Sequence, residues 1–169
     1  MAVLNRRKIL GAGILGVGVY GTATLAGAFG NANAKSGKSF KIKRSAAEWK
    51  KRLGPARYRI MRLEGTERAY SSALDKEKRA GVFACAGCNL GLYSSKTKYD
   101  SRTGWPSFWQ PIANNRIGKS VDHKIGYPRT EVHCSRCGGH LGHIFNDGPR
   151  PTGKRHCING LSLKFIPAS

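Results

Sequence analysis

Acidic residues are scarce in this chain. Nine Asp and Glu stand against thirty Lys and Arg, giving a formal net charge of +21 over 169 residues. Such a surface attracts polyanions, whether nucleic acid, anionic lipid or cell-envelope polymer, and the favoured alternative is a solvated, merely basic surface with no dedicated anion site. An even number of cysteines is also missing: there are five, so they cannot all pair within one chain. Charge is absent from residues 9–34, and residues 35–44 are basic with little apolar content. Beyond two Cys-x-x-Cys pairs, Cys85/Cys88 and Cys134/Cys137, there is no internal repeat.

The uncharged run follows Arg6-Arg7-Lys8 and ends on Ala32-Asn33-Ala34. A basic region, an apolar region and a small-residue site read as an export signal over residues 1–34. The alternative is an uncleaved membrane anchor, for which the run is long enough, although its glycines make it a poor helix. The paired arginines and glycine-diluted run are similar to the twin-arginine class of signal. Asn5 before the pair and Ile9 after it depart from that pattern. The expected location is the periplasm or an equivalent compartment outside the cytoplasmic membrane. Without Arg6, Arg7 and Lys8 the charge is about +18, and export argues against nucleic acid as the natural partner. Residues 35–45 read as a basic, solvated linker, and residues 46–169 suit a single domain. Small size and high charge give a monomer as the expected state.

Within the domain, Ala46–Leu53 reads as a short helix stopped by Gly54. Pro55 opens a second amphipathic helix that ends by Gly65. Thr66–Lys78 is mostly polar loop. From there the texture is short strands between Gly/Pro turns: Val82–Cys85, Leu90–Tyr93, Glu131–Cys134 and Leu141–Phe145. Helices followed by strands predict a small β-rich domain. The two cysteine pairs sit where strands enter and leave tight turns, so they read as a four-thiolate zinc site. With four cysteine ligands no position is open for water, which makes the metal structural. The rival is a pair of redox dithiols.

Cys157 is the odd cysteine. Arg155, Cys157 and Asn159 share one face if this stretch is a strand, and the alternation of Leu161, Leu163 and Phe165 with Ser162 and Lys164 extends that pattern. A neighbouring cation stabilises thiolate, the reactive form; the alternative is an inert core cysteine. Gly104-Trp105-Pro106-Ser107-Phe108-Trp109 holds aromatics in a rigid loop, either as a pocket wall or as core anchors. His140 and His143 lie amid glycines. They can shuttle protons, bind zinc or serve structural hydrogen bonds. On a straight strand they face opposite ways, so both reach one site only if the glycines bend the backbone. His156 faces away from Cys157.

Taken together, Cys85-x-x-Cys88, Gly104-Trp105-Pro106-Ser107-Phe108, Cys134-x-x-Cys137-Gly-Gly-His140-Leu-Gly-His143, Asn146-Asp147-Gly148-Pro149 and Arg155-x-Cys157-Ile158-Asn159 resemble methionine sulfoxide reductase B, from about Ala46 to Pro167. The resemblance implies two twisted antiparallel sheets with N-terminal helices and one structural Zn2+ held by Cys85, Cys88, Cys134 and Cys137. It implies reduction of the R epimer of oxidised methionine in peptides and proteins, through a Cys157 sulfenic acid. His140 and His143 would supply and relay a proton, with Asn159 orienting them. Arg155, positioned by Asp147, would stabilise the thiolate. Trp105, with Phe108, would line the substrate site. Where many members carry a second, resolving cysteine this chain has Thr103, which implies recycling by an external thiol such as a thioredoxin-like protein. His156 stands where members often have an aromatic residue. The rival functions are a zinc-ribbon module that binds polyanions and a thiol sensor that oxidises without turnover.

Overall fold

The computed structural model describes residues 39–169. The expected export signal, the alternative of a membrane anchor and the start of the linker lie outside the described residues. Among the described residues no helix is long and apolar enough to cross a membrane. The part of the expected linker that is described is laid against the domain. Phe40 meets the His133 ring edge-on at 5.7 Å, Ile42 packs on the core, and its N–H donates to Arg136 O at 3.0 Å. Its two apolar side chains give this otherwise charged stretch a surface to bury, so it is not fully solvated.

The helical element α1 (Ala46–Leu63) starts at a capping box. Ser45 Oγ accepts from Glu48 N–H, and the Glu48 carboxylate accepts from Ser45 N–H at 2.7 Å. Gly54, at φ 69° and ψ 170°, breaks α1 in two, and Pro55 opens the second half. Trp49, Leu53, Ile60 and Met61 face inward.

Nine strands follow: β1 (Gly81–Cys85), β2 (Gly91–Ser94), β3 (Lys98–Tyr99), β4 (Ser107–Phe108), β5 (Ile117–Asp122), β6 (Arg129–Cys134), β7 (His140–Phe145), β8 (Arg155–Ile158) and β9 (Leu163–Pro167). They form a three-stranded sheet, β2-β1-β9, and a six-stranded sheet, β3-β4-β8-β7-β6-β5. All pairings are antiparallel. The expected mainly β domain is therefore the observed one. The core lies between the sheets. Phe108 of the larger sheet stacks on Tyr93 at 4.4 Å and meets Phe83 edge-on at 5.0 Å. Burying one such ring contributes roughly 1.5–3 kcal/mol.

The strand expected to run on through Leu161 is interrupted. Gly160–Ser162 forms a 3-10 turn that carries the chain from β8 in one sheet to β9 in the other. A Cβ at Gly160 would lie 1.9 Å from Ser72 Oγ, so only glycine fits the crossing. The crossing leaves Cys157 and Asn159 at the point where β8 ends.

Two turns of the same design join β1 to β2 and β6 to β7. In the first, Asn89 N–H donates to Cys85 O and Cys85 N–H to Leu90 O, both at 2.8 Å. In the second, Gly138 N–H donates to Cys134 O and Cys134 N–H to Gly139 O, both at 2.9 Å. Asn89 (φ 58°) and Gly138 (φ 68°) take the left-handed conformation just after the second cysteine of each pair. At Gly138 a side chain is also excluded by Phe40, 2.4 Å from where a Cβ would be.

Candidate active site

Residues opposite one another on adjacent antiparallel strands point to the same face. In the six-stranded sheet one such row reads Tyr99, Ser107, Cys157, His143, Glu131, Ser120 across β3, β4, β8, β7, β6 and β5. The next row, containing Phe108 and His156, points the other way, into the core. Cys157 thus sits mid-sheet, flanked by a hydroxyl and an imidazole.

A β-bulge puts the second histidine on this face. His133 pairs with His140 while Val132 pairs with Gly142, so Leu141 is an extra residue in β7. The insertion flips the parity, and the His140 and His143 rings lie 5.4 Å apart. Beside the bulge, Gly142 lets β7 lie close against β8: a Cβ there would run into Cys157 O.

Each histidine has its own carboxylate. His143 Nε2–H donates to Asp122 Oδ2 at 2.7 Å, and Arg129 donates to the same oxygen at 2.7 Å. Burial lowers the His143 pKa despite Asp122, so the ring is neutral near pH 7 and Nδ1 is its free acceptor. At Asp122 burial acts upward, but bonds from Lys124 N–H, His143 and Arg129 outweigh it and hold the carboxyl at about 2. His140 Nδ1 is 2.8 Å from Glu131 Oε1, and its buried Nε2 has no hydrogen-bond partner. Glu131 also accepts from Ser120 and meets His133 Nδ1 at 3.3 Å.

Burial pushes the Cys157 thiol up. The Arg155 charge and hydrogen bonds to Thr103 and Arg155 oppose burial without overcoming it. Arg155 is expected to favour thiolate, and it acts in that direction. Yet its guanidinium is spread between a two-toothed pair with Asp147 (3.0 and 2.8 Å) and the face of Phe145 at 4.4 Å. At rest Cys157 is therefore a thiol.

A cavity of about 130 Å³ opens beside the sulfur, lined by Thr66, Trp105, Arg129, Gly142, His143, Phe145, Cys157 and Asn159. Of the residues singled out in the sequence, the cavity brings together Cys157, His143, Asn159 and Trp105. His140 lies behind His143. Asp147 and Arg155 stand to one side. Phe108 is a correction: it is fully buried and stacked on Tyr93, on the opposite face of the sheet from Ser107. Residues adjacent on a strand face opposite ways, and the Ser-Phe pair begins with serine facing the site. Asn159 is corrected in part. Its Oδ1 accepts from Glu67 N–H at 2.9 Å and its Nδ2 donates to Leu141 O at 3.0 Å. Its side-chain bonds run to backbone and none to a histidine ring, so it braces the bulge, with one Nδ2–H left toward the cavity it lines. His156 faces away as expected, 3.1 Å from Tyr93 Oη, and burial lowers it to about 4.

Several site residues have no local sequence signal. Glu67 is buried. Its carboxylate accepts from Gly160 N–H (2.5 Å) and Leu161 N–H (2.8 Å), and its carbonyl accepts from Trp105 Nε1–H at 3.2 Å. Asp122, Arg129, Glu131 and Thr66 likewise act across long sequence separations. Phe145 alone carries a local signal, being two residues from His143 on β7.

Away from this site, Cys85, Cys88, Cys134 and Cys137 form a buried cluster whose sulfurs all lie within 4.8 Å of one another. Cys85 and Cys137 are 3.7 Å apart, Cys88 and Cys134 3.5 Å. A disulfide needs about 2.05 Å. Four thiolates around an ion at about 2.3 Å would sit about 3.8 Å apart. The cluster therefore fits a metal ion.

The chain matches the SelR domain over residues 53–167. It is 53% identical over 127 residues to peptide methionine sulfoxide reductase MsrB of Leptospira interrogans, covering 75% of this chain and 97% of that protein. The protein of the same name from Methanosarcina barkeri is 51% identical over 124 residues, with 73% and 87% covered. Peptide methionine sulfoxide reductase B1, chloroplastic, of Arabidopsis thaliana is 52% identical over 121 residues, with 72% and 60% covered.

Proposed function

The chain belongs to the methionine sulfoxide reductase B family, and from that premise we propose that Cys157 is the nucleophile of a thiol-dependent reductase specific for the R epimer of methionine sulfoxide. The coarse activity follows from membership: this is an oxidoreductase that reduces methionine sulfoxide, a repair of oxidised protein. What carries the finer reading is the cavity, where a thiol, a neutral imidazole and two aromatic faces meet in about 130 Å³.

The chemistry balances on these residues. Trp105 and Phe145 hold the methyl-sulfur end of the side chain, a contact aromatic rings favour. His143 Nδ1 takes the Cys157 proton as the substrate seats. Sγ attacks the sulfoxide sulfur, and the proton goes to the sulfoxide oxygen. That oxygen is transferred to Cys157, so the substrate sulfur gains two electrons and Cys157 becomes sulfenic acid. His140, tied to Glu131, buffers the charge on His143. One external thiol converts the sulfenic acid to a mixed disulfide and water. A second releases Cys157 and leaves as the disulfide of the reductant. Among the described cysteines the other four belong to the metal cluster, which favours an external, thioredoxin-like reductant over internal resolution. Zn2+ is the ion four thiolates suit best, one per chain and without a part in the reaction. The signal-like residues 1–34 support action outside the cytoplasm, on envelope proteins.

The test uses the separated R and S epimers of a methionine sulfoxide peptide with dithiothreitol. Turnover of R alone, abolished in Cys157→Ser while metal content is kept, is the expected result. Turnover of S, or activity surviving in Cys157→Ser, would overturn the reading.

A further inference from the structure

Segment 66–72 runs between the Trp105 wall of the cavity and the turn that follows the nucleophile, and one residue in it holds both. The buried Glu67 carboxylate accepts from Gly160 N–H at 2.5 Å and from Leu161 N–H at 2.8 Å. Both oxygens thus serve the crossing from β8 to β9. The Glu67 N–H donates to Asn159 Oδ1 at 2.9 Å, and its carbonyl accepts from Trp105 Nε1–H at 3.2 Å. Asn159, Trp105 and Thr66, the residue just before Glu67, all line the cavity beside Cys157. Three lining residues are therefore fixed through this one glutamate. The same segment grips the Trp105 loop a second time: Tyr70 N–H donates to Gly104 O and Tyr70 Oη–H to Arg102 O, both at 2.7 Å. A Cβ at Gly104 would meet Tyr70 at 2.7 Å, so segment and loop lie in close contact.

We propose that Glu67 is a positioning residue that sets the reach of the substrate cavity, by holding the Trp105 ring at a fixed distance from Cys157. It touches neither substrate nor reacting atoms. Cys157 stands three residues before Gly160, so pinning Gly160 and Leu161 to the carboxylate locates residue 67 relative to the sulfur. The carbonyl of the same residue then locates the indole. In a cavity of about 130 Å³ one extra methylene on the substrate is felt, and such a difference is worth about 10–200-fold in an apolar pocket. Displacing the ring should therefore relax the choice between methyl and larger alkyl sulfoxides. The inference rests on Trp105 holding the methyl-sulfur end of the substrate, as proposed above.

The experiment compares kcat/KM for peptides carrying the R-sulfoxide of methionine and of ethionine, its S-ethyl homologue, with dithiothreitol and the metal-loaded chain. The wild type should prefer the methyl compound by at least about 10-fold. Glu67→Gln keeps one acceptor oxygen but turns an amide N–H toward a backbone N–H, and should lower that preference by at least about threefold. Trp105→Phe lacks the indole N–H that Glu67 holds and should lower it too. Because both act through one bond, the double variant should be no less selective than Trp105→Phe alone, whereas two independent defects would multiply. Metal content reports folding, and iodoacetamide alkylation of Cys157 at one pH reports an intact nucleophile without needing the wall. The proposal is overturned by a wild type without the preference, by either folded single variant keeping it in full, or by effects that multiply. Should Glu67→Gln fail to fold, Trp105→Phe decides alone. A wild type that turns over neither compound overturns the functional reading and the proposal with it, whereas a failure confined to the methyl-to-ethyl preference leaves that reading standing.

Discussion

At the scale of single residues, the site joins a thiol kept neutral by burial to a histidine kept neutral by burial. In the proposed mechanism each needs the other for the proton transfer that starts the reaction. Asp122 fixes the histidine tautomer, and this has a thermodynamic consequence. Its carboxyl falls from 3.8 in the unfolded chain to about 2 when folded. A depressed folded pKa stabilises the fold above the unfolded value, and that contribution is lost as pH falls through the folded one. The shift is worth about 2 kcal/mol. Asp122→Asn should therefore unfold at lower urea than wild type at about pH 6, with the gap closing toward about pH 3. A gap that is constant over that range contradicts the ion pair. The variant should also lose turnover by about 10–100-fold, because Asn can present its amide N–H to Nε2 and select the wrong tautomer.

At the scale of elements, the bulge at Leu141 is the decisive feature. It turns β7 so that His140 and His143 share the Cys157 face, and beside it Gly142 lies against the backbone of β8. Gly142→Ala should separate β7 from β8. The expected result is destabilisation by about 2–4 kcal/mol and loss of nearly all activity, read by thermal melting and turnover. The bulge also marks how far sequence could go. Strand positions, the broken helix and the cysteine turns follow from local alternation, Gly54-Pro55 and ligand spacing. The two histidines could be joined only on the condition of a bend, because parity is broken by one residue that any β-strand could contain. Phe108 lies on the core face rather than at the substrate site for the same reason: nothing local says whether Ser107 or Phe108 points inward. Glu67, Asp122 and Glu131 meet their partners only through strand pairing. Two of the nine acidic residues, Glu67 and Glu131, are thus buried inside the molecule, where the chain's composition gives no hint of them.

At the scale of the whole molecule, the two cysteine turns tie β1–β2 of the small sheet to β6–β7 of the large one. An ion held there closes a long loop and couples the two layers that sandwich the core. Removing it, or replacing Cys134 with Ser, should lower the melting temperature by at least about 10 °C while Cys157 keeps its chemistry in whatever remains folded. Unchanged melting on chelation would mean that the thiols alone hold the turns. The reaction itself is tested most directly by a single turnover without reductant. The metal-loaded chain is mixed with excess R-sulfoxide peptide, then trapped with dimedone and mapped by mass. The account predicts one methionine formed per chain and one adduct, on Cys157. An intramolecular disulfide to Cys157, or an adduct at any other cysteine, would contradict it.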